Sequence, residues 1–170
     1  METPRSYEEF CAHFVHKAPV ATTQGERIYL ESDALTGFKT AEQRKPYSRG
    51  LPLGTRSPRG FTPSLALLRL LAERSEMKIT VPDARAQWLF LCGRDLFPES
   101  FTTTHGPGLF LVQNERNENL GLGELTPSDK GLYLRNIVDL GNFLRHEAIS
   151  LEAKTPRRKT GRNGKPMLRR

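Results

Sequence analysis

Apolar residues along this chain switch between two spacings, and the switches mark the elements. Behind Ser6-x-x-Glu9, a capping-box pattern, Tyr7, Phe10, Cys11, Phe14 and Val15 recur at intervals of three and four. That spacing predicts a helix over 7–17. After a break around Pro19, Arg27-Ile28-Tyr29-Leu30 reads as a short strand. From Gly37 to Gly60 apolar residues are sparse among glycine, proline and arginine, and the stretch reads as an extended loop. Thr62 as N-cap and Pro63 as first helical residue then open a helix carrying Leu65, Leu67, Leu68, Leu70 and Leu71. A helix this rich in leucine packs on more than one side.

Beyond it, Lys78-Ile79-Thr80-Val81 is a strand, and Pro82-Asp83 opens a helix with Ala86, Trp88, Leu89, Phe90 and Leu91. Gly93 stops that helix. The pattern then turns to strands: Leu109–Val112 and Leu120–Gly123 flank a polar connection and form a hairpin. Thr126-Pro127-Ser128-Asp129 reads as a turn into Leu132-Tyr133-Leu134, and Asp139–His146 as a short closing helix. Gly121 and Gly123 let strands bend around a small barrel, and Gly141 lets the closing helix pack tightly against it. The fold class is α+β, with an N-terminal α/β domain at 1–75, a barrel at 76–150 and a disordered basic tail at 151–170.

Charge changes this picture more than composition does. The net charge is +7, but 154–170 holds eight cations and no acid, so the rest of the chain sums to −1. A second run, 39–59, holds six cations against Glu42 alone. A near-neutral body with two basic segments points to a polyanionic partner, because each neutralised phosphate releases condensed counterions. The other account of the tail is a solubilising disordered segment.

Cys11 and Cys92 sit in apolar stretches without paired spacing and read as buried free thiols of a reducing compartment. The N-terminus is polar and acidic, without the look of a signal peptide. No run approaches the roughly 20 apolar residues that span a bilayer. An intracellular, cytoplasmic protein without membrane contact is the expectation.

Enzyme chemistry finds no foothold. Gly121-Leu122-Gly123 lacks the third glycine of a dinucleotide fingerprint, and Gly161–Lys165 lacks the spacing of a phosphate-binding loop. Cys11 and His13 would point about 200° apart on a helix, and no second pair completes a metal set. His13 and His16 read as exposed helix residues, His105 as a loop histidine, and Cys92 as core. Neither catalytic residues nor a cofactor are expected.

From Trp88 to Glu147 the order LFLCGRDLF, GLFLVQNERNENLGLGEL, KGLYLRNIVDLGNFLRHE resembles a PUA-like RNA-binding domain. The run Asp139-Leu140-Gly141-Asn142-Phe143-Leu144-Arg145-His146-Glu147 is similar to the end of an archaeal and eukaryotic large-subunit ribosome biogenesis factor family. Arg59-Gly60-Phe61-Thr62-Pro63-Ser64 is similar to a helix-opening run in the PUA-like segment of small-subunit rRNA cytosine methyltransferases. The likeness covers about Arg59 to Glu147, whereas the first 58 residues match neither family and the chain is too short for a methyltransferase domain. The resemblance implies a PUA-like mixed β-barrel and a non-catalytic role in ribosome biogenesis or RNA modification, with rRNA or tRNA as partner. The open alternatives are an RNA-recognition subunit of a modifying enzyme and a protein adaptor with a basic tail. Candidate RNA contacts are Gly93 and Arg94 at the helix end and Lys130, Arg135 and Arg145 around the closing strand. Arg44, Lys45, Arg49, Arg56 and Arg59 add charge from the N-terminal half. Arg145 could instead pair with Asp139 or Glu147.

Overall fold

The computed structural model describes residues 4–36, 50–129 and 131–141. Its elements run α1 (Tyr7–Phe14), β1 (Thr22–Gln24), β2 (Arg27–Leu30), α2 (Asp33–Thr36), β3 (Leu51–Ser57), β4 (Gly60–Pro63) and α3 (Leu65–Ala72). There follow β5 (Lys78–Thr80), α4 (Ala84–Leu91), a 3-10 turn (Pro98–Ser100), β6 (Gly108–Gln113), β7 (Asn119–Ser128) and β8 (Gly131–Asp139). They form two four-stranded sheets, ordered β1-β2-β3-β4 and β5-β6-β7-β8. Among the described residues only β5 and β6 pair in parallel, so the second sheet is mixed, and the α+β class holds.

The first helix begins where the capping box put it. Ser6 Oγ accepts the Glu9 N–H at 3.0 Å, while Glu9 reaches back one residue further than a capping box requires, to the Arg5 N–H at 2.7 Å. The helix stops at Phe14 rather than at Lys17, because Val15 is extended and its N–H closes on Cys11. Tyr7, Phe10, Cys11 and Phe14 enter a core with Ile28, Leu53, Phe61, Leu67, Leu68 and Leu71. Leu111 and Leu122 of the second sheet belong to that same core, so α1 and α3 sit between the two sheets.

Residues 50–60, expected as loop, instead supply β3 and the start of β4. β3 pairs with β2 on one edge and β4 on the other. A central strand satisfies its backbone on both sides, so it forms without the apolar alternation that reveals a half-buried one. Gly54 has the ring of Phe61 where a Cβ would stand. The pairing also moves the cap of α3. Thr62 and Pro63 are held opposite Thr55 and Gly54, and Ser64 becomes the N-cap, accepting the Leu67 N–H at 3.1 Å. Its hydroxyl donates to the Pro52 carbonyl at 2.7 Å, tying the helix start to β3.

In the second sheet, residues alternate between two cores. Phe110 and Val112 face inward with Ile79, Val81, Ala86, Phe90, Leu96, Leu125 and Leu134, while Leu111 faces α1 and α3. Two bulges re-aim side chains. Val112 pairs with Gly121 and Gln113 with Asn119, which leaves Leu120 as the extra residue, inside the barrel core. Leu122 pairs with Val138 and Gly123 with Asn136, which leaves Ile137 unpaired and 40% exposed. The expected turn at Thr126–Asp129 begins later, since β7 stays paired with β8 through Ser128 and Gly131.

One short segment closes the sheet. Thr102 bridges edge strand β5 at Thr80, and Leu96 bridges the opposite edge, β8, at Leu134. The chain between them spans both edges, which turns an open sheet into a small mixed barrel. Asp139 ends β8 rather than starting a helix. Lys39, Arg44, Lys45, Arg49, Lys130 and Arg145, most of the closing helix and the basic tail lie outside the described residues.

Candidate nucleic-acid interface

The helix α4 carries the expected Gly93–Arg94 element, and its ends are firmly built. Asp83 caps it by accepting the Ala86 N–H at 2.7 Å, and Gln87 Nε2 donates to the Val81 carbonyl at 3.0 Å. At the other end the Gly93 N–H closes on Phe90 and the Arg94 N–H on Leu89, at 2.9 and 3.1 Å. With Gly93 at φ +80°, this is a Schellman cap, a left-handed position that favours glycine.

Beyond the cap the chain is fastened to β8. Asp95 Oδ1 accepts the Asn136 N–H at 2.8 Å, and Asn136 Nδ2 donates to the Phe90 carbonyl at 2.7 Å. Leu96 and Leu134 exchange backbone bonds at 2.9 and 2.8 Å. Gly141 lies so close to α4 that a Cβ would fall on the Leu91 carbonyl. The exposed Arg94 is therefore presented by a turn held from three sides.

Phe90 points into the barrel, so residues about half a turn away point out. Arg85, Trp88 and Cys92 are all exposed, at intervals of three and four that place them on one face. Trp88 is 63% exposed, and Phe97, just past the Leu96 pairing, is 61% exposed. Cys92 is thus a surface thiol and not a core residue, because the cap turns it away from Phe90. Trp88 and Phe97 are interface candidates that apolar pattern alone assigns to the core. The wheel position of Trp88, opposite Phe90, was the signal available in the sequence.

Arg135 is exposed on β8 but already engaged, donating to Glu124 across the strand pair. That bond raises the Arg135 pKa further above its ordinary value. Arg56 and Arg59 belong to the β3–β4 hairpin, where Ser57 Oγ accepts the Arg59 N–H at 3.2 Å. They stand on the first sheet, and no described hydrogen bond or core contact joins them to Gly93, Arg94 and Arg135. A cleft of about 330 Å³ on that sheet is lined by Arg27, Tyr29, Gly54, Thr55 and Thr62 among others.

His13, expected as exposed, is half-buried: its Nε2 donates to the Leu109 carbonyl at 2.8 Å, locking α1 to β6. His105 stacks on Phe110, with ring centroids 5.0 Å apart. Among the described residues no three His, Cys, Asp or Glu side chains converge as a metal site. No described helix is long and apolar enough to cross a membrane.

Residues 78–148 match the model of the UPF0113 PUA domain. The chain carries a PUA-like domain there. Its matched span starts at β5 and takes in α4, the closing segment and all of β6–β8. The chain is also similar to a UPF0113 protein of Aeropyrum pernix, 37% identical over 113 residues. That alignment covers 64% of this chain and 64% of the relative, so the chain spans less than two thirds of the relative's length.

Proposed function

We propose that this chain is a non-catalytic RNA-binding protein that grips rRNA or tRNA through its PUA-like domain. It acts in ribosome biogenesis or RNA modification, in the cytoplasm, or in the nucleolus of a eukaryote. The observation that carries this reading is the match of residues 78–148 to a PUA domain, with an exposed arginine held on a rigid turn within it. Two basic segments of the sequence, 39–59 and 154–170, add the counterion-releasing charge that polyanion binding uses.

The test is a titration of folded rRNA and tRNA fragments into the full chain at several salt concentrations. Micromolar or tighter binding is expected at low salt, with affinity falling steeply as salt rises. Deleting Lys154–Arg170 should weaken binding without erasing preference among RNAs. Absence of binding at low salt overturns the reading. Co-purification with an RNA-modifying enzyme, and activity only in its presence, would move the assignment to an accessory subunit.

A further inference from the structure

We infer that the outward face of α4 is a stacking platform for an unpaired RNA base, with Trp88 as its aromatic surface and Arg85 and Arg94 as its phosphate anchors. This deepens the RNA-binding reading and rests on it. Trp88 is the chain's single tryptophan, and most of its surface is in water. An indole left exposed contributes little to the fold, yet every nucleobase offers it a π-face of matching size.

Charge selects the occupant. Arg85 lies one helical turn before Trp88, and Arg94 follows the cap, both exposed. Among the described residues neither forms an ion pair. Asp83 and Asp95 keep their negative charge but aim it at backbone N–H groups, Asp83 at the start of α4 and Asp95 at Asn136. Glu99 is the exposed acid that remains in the 3-10 turn. An exposed aromatic with one arginine a helical turn before it and another just past the helix cap suits a base with its adjoining phosphates, and suits an apolar protein helix poorly. Phe97, held beside the Leu96–Leu134 bond, offers a second exposed ring on the same rigid segment.

Because Trp88 is the single tryptophan, its fluorescence reports contact directly. The full chain is titrated with an unstructured RNA decamer, a blunt RNA duplex of equal phosphate count and inorganic polyphosphate, while anisotropy of labelled RNA follows binding. The decamer is expected to quench Trp88 with the same midpoint as the anisotropy change, and duplex or polyphosphate to leave the emission nearly unchanged. Trp88→Ala should weaken decamer binding by about 5- to 150-fold, and Trp88→Phe should retain most of the affinity. Thermal melts matching wild type confirm that the exposed site was changed without loss of fold. If RNA binds while emission and Trp88→Ala affinity stay unchanged, or if polyphosphate quenches equally, the platform is overturned and RNA binding by the domain survives. If no RNA binds at low salt, both readings fall.

Discussion

Leu96 and Leu134 exchange both backbone hydrogen bonds, and with the Asp95–Asn136 bond that pair joins the end of the α4 turn to the edge strand β8. Both side chains are buried in the barrel core. Leu134→Ala is expected to cost about 2–5 kcal/mol, the range for emptying a packed leucine site. Urea unfolding measures it as a lowered midpoint with an unchanged slope. A loss well under about 1 kcal/mol would separate the closure from the cooperative core.

Gly141 and Gly106 make a matched pair of probes. A Cβ at Gly141 lands on the Leu91 carbonyl, which is backbone and cannot swing aside, whereas nothing lies within 4 Å of one at Gly106. Gly141→Ala should destabilise by about 2 kcal/mol or more, and Gly106→Ala by no more than about 0.5 kcal/mol. Chemical denaturation of both variants decides this, and equal stabilities would contradict the close approach.

Arg94 and Arg135 carry equal charge but should differ in RNA binding. Arg94→Ala is expected to lower the salt slope of log affinity by about one, as loss of one phosphate contact does. Arg135→Ala should lower it less, since the Arg135 charge is shared with Glu124. Glu124→Gln should strengthen binding slightly for the same reason. Fold stability should change little in each case, because exposed ion pairs contribute only about 0–1 kcal/mol.

The two thiols should separate cleanly under a disulfide reagent at neutral pH. Cys92 is exposed and should react at once, whereas Cys11 is fully buried and should react only on unfolding. Burial foremost pushes the Cys11 thiol from 9.0 up to about 11. The folded chain therefore keeps this proton to higher pH than the unfolded chain does. Its contribution is complete below pH 9.0 and is lost as pH rises through about 11. Tyr7, raised by burial as well, adds the same sign at still higher pH. Comparing the alkaline stability slope of wild type with that of Cys11→Ala measures the cysteine share.

The local signals that sequence carries well are capping and strong periodicity. Ser6 capped its helix as spacing required, Asp83 capped the helix that Pro82-Asp83 was expected to open, β2 fell at Arg27–Leu30, and the β6–β7 hairpin flanks its polar connection. Gly93 stopped α4 at the expected place because only a left-handed residue completes that cap. Gly141, read as a tight-packing position, does lie against the Leu91 carbonyl, and Gly121, read as a strand bend, has the Val138 carbonyl where a Cβ would stand.

What tertiary structure alone decided were matters of pairing and facing. β3 gains its identity from strands on both sides, so its own residues carry no alternation to read. The same pairing claimed Thr62 and Pro63 for β4 and passed the α3 cap to Ser64. Bulges at Leu120 and Ile137 broke the two-residue period, which no local count detects. Whether Trp88 is core or surface depends on which side of α4 meets the barrel. The sequence determined that α4 exists, where it starts and where it stops. The burial of Phe90 set its rotation, and that rotation turned Trp88, Arg85 and Cys92 outward.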